Sequence, residues 1–398
     1  MRYLLQHSFF RNAPKPLLTL CLLLLCALQL FISATAEPVI SSPRFKHLST
    51  ENGLSQDSIN DMYVDSDGFL WVATETGLNR YDGYHNKQYV GLSNEFADDG
   101  IYSLYEDQNN DLWVSTYSSG VYRVNRQTGE SKRVLAITYK SQPEWYQFVS
   151  HYIPGPNNTL YIAHDHVIVQ FNLETEQWAA VFDLLSPELA LPDSEVIRHI
   201  ALYDDVLFIA TSAGLYTYDL LTKTTRKIQY EENRESNRDK LNAKLIMIDE
   251  QANFWLGTVE GLYKFNLEAL FTYAKSGGDA PLGATAIPSL NIWSLQNIEG
   301  SLYYLATNNG LYTVDLVTLE LQHLFKPSDS NLLITDNNLT KIAFTPSEQL
   351  WLSTKTSGML LWNPRSLLFN NVYADDKSKH SLSDNTVHDF HVQNDENL

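Results

Sequence analysis

The sequence has 398 residues, 44% of them hydrophobic and 19% charged, a globular balance that excludes disorder, collagen and coiled coil. Against 28 basic residues stand 47 acidic ones, a formal net charge of −19 that repels phosphate backbones and argues against nucleic-acid binding. Length alone predicts two or three domains of roughly 100–200 residues each, but an internal repeat overrides that count.

The chain opens with Arg2, Arg11 and Lys15, then an apolar run from Leu17 to Ile32, then Ala34-Thr35-Ala36. A basic start, a short apolar middle and a small-x-small exit predict a secretory signal peptide over residues 1–36, cleaved after Ala36. An uncleaved anchor is the alternative, although this run falls short of the ~20 residues that span a bilayer. Cys21 and Cys26 both lie in the run, and Leu25 before Cys26 speaks against a lipoprotein. The exported chain then has no cysteine for disulfides, thiol chemistry or metal ligation. Without residues 1–36, 25 basic residues face 47 acidic ones, a net charge of −22.

From Ile59 onward, period-two apolar alternation and turn residues predict short strands. Ile59–Val64 is followed by the turn Asp65-Ser66-Asp67-Gly68, then Phe69–Thr74, a tight turn at Gly77, Leu78–Tyr81, a turn at Asp82-Gly83, and Lys87–Val90. The unit recurs. FLWVATETGLNRYD at 69–82 matches DLWVSTYSSGVYRVN at 111–125, VLFIATSAGLYTYD at 206–219, NFWLGTVEGLYKFN at 253–266, LYYLATNNGLYTVD at 302–315 and QLWLSTKTSGMLLWN at 349–363. A degenerate copy, TLYIAHDHVIVQFN, occupies 159–172. The anchoring aromatics Trp71, Trp113, Tyr161, Phe208, Trp255, Tyr304 and Trp351 stand 42 to 49 residues apart, each with an apolar residue twelve positions earlier. Four antiparallel strands per repeat, seven times over, predict an all-β seven-bladed β-propeller over residues 37–373. No repeat sustains helical spacing. Arg44–Leu48 is placed to supply the outermost strand of the last blade and so remove the exposed edges. The anchoring aromatics are read as inter-blade packing, and the Asp or Asn closing each third strand as a turn cap.

Residues 45–84 carry the strings GLSQ at 53–56, DSDGFLWVAT at 65–74 and GLNRYDGY at 77–84. They closely resemble the opening of the two-component regulator propeller family. The likeness implies the periplasmic input module of a hybrid sensor histidine kinase or a membrane diguanylate cyclase. Such proteins typically carry paired propellers, a small β-sandwich, a membrane helix and a cytoplasmic output domain. By the same resemblance the full-length protein is expected to be anchored in the inner membrane and dimeric. Residues 374–398 read as the start of an eighth repeat, since Val387 aligns with Ile59 and Leu398 with Leu70. The sequence is thus read as an N-terminal fragment, with a frameshifted or degraded gene product as the alternative.

The search for chemistry is mostly negative: no phosphate loop, no His-Glu-x-x-His, no Gly-x-Ser-x-Gly and no cofactor motif. His164 and His166 replace the threonine of the other repeats, and strand alternation sets both on one face, a weak metal candidate without a third ligand. Trp145 and Tyr146 lie outside the repeat pattern and are candidates for stacking on sugar rings or for interface packing. Counting two residues on from each apolar marker predicts a ring of side chains along the channel: Asp61, Ser103, His151, Arg198, Leu245, Ser294 and Lys341. The next position is apolar in most units, with His199 the exception. The locally basic ring suggests a small anionic or polyhydroxyl, carbohydrate-like ligand, with Arg198 and Lys341 as donors; a periplasmic protein partner stays open. A sensing module without catalysis is the leading function, and a propeller enzyme of lyase or glycoside-cleaving type the alternative. Mass spectrometry of exported material is expected to find Glu37 as the first residue; an N-terminus retained in the membrane contradicts the signal peptide.

Overall fold

A computed structural model describes residues 45–363, apart from 90–99, 118, 129, 136–148, 190, 192–194, 229–241, 330–333, 335 and 347–348. Seven antiparallel sheets of four strands follow one another along the chain. The first comprises Ile59–Val64, Leu70–Thr74, Gly77–Tyr81 and Asn86–Tyr89, within a residue of the sequence reading at each end. The inner strands of the seven blades are Ile59–Val64, Ile101–Glu106, Val149–Gly155, Ile197–Tyr203, Ala243–Ile248, Ile292–Glu299 and Leu339–Phe344. Each packs beside the inner strand of the next blade, and the seventh beside the first, which closes the ring. Phe45–Leu48 pairs with Met359–Trp362 as the outermost strand of blade seven, the closure the sequence suggested.

One apolar cluster fills each of the seven inter-blade wedges. Trp71 packs with Ile101, Leu112 and Val114 of blade two, and Trp351 with Ile59 and Val72 of blade one. Trp71, Trp113, Trp255 and Trp351 are all buried, as their packing role requires. A polar bond fixes three of these indoles: Trp71, Trp113 and Trp255 donate Nε1–H to Asp65, Asp107 and Asp249 at 2.7–2.8 Å. Those same carboxylates accept from backbone N–H groups of their own turns, so one side chain shapes the hairpin and orients the tryptophan.

The recurring threonine has an equally local cause. In six blades its buried hydroxyl donates to the carbonyl that opens the third strand, as Thr74 does to Gly77 and Thr307 to Gly310, both at 2.9 Å. Gly310 has φ 95°, and a Cβ there would stand 2.3 Å from the Phe325 carbonyl oxygen, so no other residue fits. The residue that closes the third strand is a turn cap, as expected: Asn125, Asn172, Asp219 and Asp315 each accept from two N–H groups beyond them.

One element departs from the sequence reading. Leu267–Ser276 is an α-helix inserted between the third and fourth strands of blade five. Asn266 is its N-cap, accepting from the Ala269 N–H, and Gly277 ends it. Leu267, Leu270 and Ala274 are buried against the blade four–five wedge. Three apolar contacts over ten residues are too few to stand out in a chain patterned at period two. The expected signal peptide (1–36), Trp145, Tyr146 and the stretch read as an eighth repeat (374–398) lie outside the described residues.

Replacing Asp107 by Ala strands the buried Trp113 N–H, and the expected loss is about 1–3 kcal/mol in urea unfolding. The same replacement in a Trp113→Phe background, which has no indole N–H to strand, is expected to cost less. Equal losses in both backgrounds contradict the assignment of the Trp113–Asp107 bond.

Candidate functional site: the axial channel

Every inner strand carries a β-bulge at its start. Ile59 pairs with Thr74 and Asp61 with Ala73, leaving Asn60 unpaired, and the same shift recurs in all seven blades. A bulge breaks strict alternation, so two consecutive residues face the same side. Two rings of side chains therefore line the channel where alternation predicts one. The first is Asn60, Tyr102, Ser150, Arg198, Lys244, Trp293 and Thr340; the second is Asp61, Ser103, His151, His199, Leu245, Ser294 and Lys341.

The pairing also corrects one position. The sequence count places Arg198 in the second ring, but Ile197, not Val196, pairs with Thr211, and His199 pairs with Ala210. The hairpin of blade four turns on Asp204 and Asp205 alone, which shortens the distance to Phe208 by one residue. His199 therefore takes the ring position and Arg198 the bulge. The position after the second ring becomes Met62, Leu104, Tyr152, Ile200, Ile246, Leu295 and Ile342, apolar or aromatic throughout.

The second ring binds the blades together. Asp61 accepts from the N–H groups of Met62 and of Leu104 in blade two, both at 2.9 Å, and pairs with Lys341 of blade seven at 2.8 Å. Ser103 donates to the Val149 carbonyl at 2.6 Å, and Ser294 accepts from the Ile342 N–H at 3.3 Å. His151 and His199 stack at 3.5 Å between ring centroids. Burial, with Lys341 nearby, drives both imidazoles down, His199 to about 3, so both are neutral.

On the side where these strands begin, the first ring opens into a cavity of about 620 Å³. Arg198, Lys244, Lys341 and Lys355 line it, with Asp61 as its only lining carboxylate among the described residues. Lys244 sits 3.0 Å over the Trp293 ring and donates to Asn291 at 2.7 Å. Burial, then repulsion from Arg198 and Lys355, lowers its ammonium to about 7. Arg198 Nε, Trp293 Nε1 and the Nδ1 atoms of His151 and His199 are buried with no hydrogen-bond partner among the described residues. Toward the other end lies a smaller cavity of about 390 Å³ where Tyr63, Tyr105 and Tyr152 gather, Tyr105 stacked on Tyr152 at 5.6 Å.

His164 and His166 do not share a strand face. The second strand of blade three ends at His164, paired with Val167, and Asp165 at φ 49° forms a two-residue turn with His166. Asp165 lies 2.9 Å from His166 Nδ1, and burial lowers His164 to about 4. Among the described residues no group of three or more His, Cys, Asp or Glu is placed to hold a metal. The turn carbonyls of Asp165 and His166 accept from Ile197 and Leu184, so the motif closes the hairpin where the threonine device is missing.

The sequence model for the two-component regulator propeller family matches residues 53–76 and 95–118. Two stretches of the chain are thus similar to the two-component regulator propeller repeat. No curated protein matches the sequence. Among solved structures, the extracellular domain of a hybrid two-component system protein from B. thetaiotaomicron superposes with TM-score 0.62 at 21% identity, over 80% of this chain and 42% of that one. A second such domain from that organism gives 0.62 at 19%, over 83% and 40%. The virginiamycin B lyase of Staphylococcus aureus gives 0.56 at 9%, over 80% and 98%. At these identities the likeness is one of fold. The chain spans about two fifths of the length of the two-component domains.

Asp61 satisfies two backbone donors, whereas the Lys341 side chain is 42% exposed and satisfies none. Asp61→Ala is expected to lower stability by about 2 kcal/mol or more, and Lys341→Met by less than about 1 kcal/mol. Chemical denaturation checks the order; equal losses contradict a stapling role for Asp61.

Proposed function

We propose that this chain is the ligand-sensing input propeller of an exported signal-transduction receptor, of the sensor histidine kinase or diguanylate cyclase kind, with no catalysis of its own. The repeats and the two-component neighbours support the receptor context. The observation that carries the sensing role is the channel mouth, where buried donors from different blades converge on one cavity and lack partners among the described residues. Unpartnered buried polar atoms cost free energy, which a bound polar ligand offsets. The periplasmic location, membrane anchorage and dimeric state of the full-length receptor belong to the same proposal.

The lyase neighbour is an enzyme of the same fold, but none of the described channel residues favours catalysis here. Asp61 is committed to two N–H groups and a lysine, an arrangement that holds blades together rather than moving protons. The ligand of this reading is small and polar, either anionic or carbohydrate-like, with Arg198 and Lys341 among its donors.

Calorimetry with a panel of neutral oligosaccharides and small carboxylates tests the reading. A ligand is expected to bind and to be recovered unchanged, and Arg198→Ala with Lys341→Ala is expected to weaken it at least tenfold, since each charge-assisted bond contributes ~1.5–3 kcal/mol. Turnover that disappears on replacing Asp61 or His164 establishes the enzyme instead, and affinity unchanged in the double variant removes the channel as the site.

A further inference from the structure

The channel mouth has a charge pattern that a neutral polar ligand leaves unexplained. Four cations line one cavity in a chain of net charge −19, and the single lining carboxylate among the described residues, Asp61, is already paired with Lys341. Among the described residues Lys244 has no acidic partner: its ammonium contacts the Trp293 face and the Asn291 amide oxygen, while Arg198 and Lys355 repel it. Arg198 bonds the Tyr102 hydroxyl and keeps Nε–H free. Gathering like charges in a partly desolvated space lowers stability, and such clusters are characteristic of sites that bind the opposite charge. Among the described residues, the unpartnered buried atoms lining the cavity include two first-ring donors, Arg198 Nε and Trp293 Nε1, besides Asn242 Oδ1 and the Nδ1 atoms of His151 and His199. An oxyanion accepts from both first-ring donors, and the four cations favour it over a neutral hydroxyl.

We propose that the cavity at the start of the inner strands binds a small oxyanion of two or more negative charges, bearing phosphate, sulfate or several carboxylate groups, with Arg198 as the directional donor and Lys244 and Lys341 as point charges. This deepens the sensing reading by naming the ligand class, and it rests on that reading for its physiological role only. Two or three negative charges neutralise four cations less one carboxylate. The planar guanidinium suits two oxygens of one anionic group, and the ammonium groups are insensitive to direction.

Proton uptake follows from the same geometry. In the free protein Lys244 is half-protonated near pH 7, and an anion beside it favours the charged form. His151, His199 and Asp61 face the same space; the two imidazoles titrate well below this range, and Lys341, Lys355 and Arg198 are the other charges lining it among the described residues. The sign is therefore fixed: binding is tight below pH 7, where Lys244 is already charged, and weakens as pH rises above it. If only the charged lysine binds, a group titrating near 7 makes affinity about tenfold tighter at pH 6 than at pH 8.

Calorimetry on the full chain with inorganic sulfate, inorganic phosphate and citrate tests this, with glucose as the neutral control. Saturable binding of at least one anion and none of glucose is expected. Sulfate serves for the pH series because its own charge is constant from pH 6 to 8; the expected change is about tenfold, with heats that vary with the buffer's ionisation enthalpy. Lys244→Met is expected to abolish the pH dependence, and Arg198→Gln to weaken binding at both pH values while unfolding normally. No saturable binding of any of the three anions, or binding that neither variant alters, overturns the proposal. A neutral oligosaccharide bound in the channel in place of the anions also overturns it but leaves the sensing reading standing. Anion binding that loses affinity in Arg198→Gln upholds the proposal whether or not the receptor context holds.

Discussion

Ring closure is the constraint on which everything else in this molecule depends. A stack of twisted sheets exposes an apolar face at each end, and only joining the two ends buries both. Here the join is made twice. The inner strands Leu339–Phe344 and Ile59–Val64 lie side by side, and Phe45–Leu48 completes the blade that ends at Trp362. Phe45 meets both Phe325 and the Trp362 neighbourhood, so the N-terminal strand is tied to blade six as well as to blade seven. Once the ring is closed, seven strands converge on one axis, and whatever their bulges present is concentrated there.

The fold was legible in the sequence because its devices are local and repeat. Tryptophan six residues after a turn aspartate, threonine three or four before the opening glycine, and aspartate or asparagine closing the third strand each mark one hydrogen bond that folds one hairpin. Their spacing counts blades without any knowledge of how blades meet. The helix Leu267–Ser276 went unread for the converse reason: it occurs once, and its buried face is a few residues against another blade.

The site was legible only in part. Asp61, His151, Ser294 and Lys341 were found because counting from an anchor works wherever hairpin length is constant. Arg198 was identified as a channel residue but at the wrong level, because blade four is one residue short. Lys244 and Trp293 were missed altogether. Strict alternation turns them away from the axis, and a bulge is set by backbone geometry at the rim of the sheet rather than by residue type. The one available sign was His199, a polar residue breaking an otherwise apolar column. Shifting that unit by one residue restores the column, and the restored column is what fixes the register.

The two rings divide stability and recognition between them. The second ring uses its polar groups on neighbouring blades: Asp61 on Leu104, Ser103 on Val149, Ser294 on Ile342. Such bonds tie each inner strand to its neighbour and hold the inner strands in register. In the first ring, one residue earlier, Arg198 Nε and Trp293 Nε1 stand at the wall unmatched among the described residues, and Lys244 donates to the Asn291 amide oxygen beside blade six. Lys341 belongs to both groups, paired with Asp61 yet lining the cavity. An anion in the cavity competes with Asp61 for that ammonium. The exchange takes place on the inner strand of blade seven, which the N-terminal strand completes. On the proposed reading, occupancy of the mouth is thereby linked to the bond that joins the last blade to the first, and the ring closure that creates the channel is also the part of the fold its contents can load.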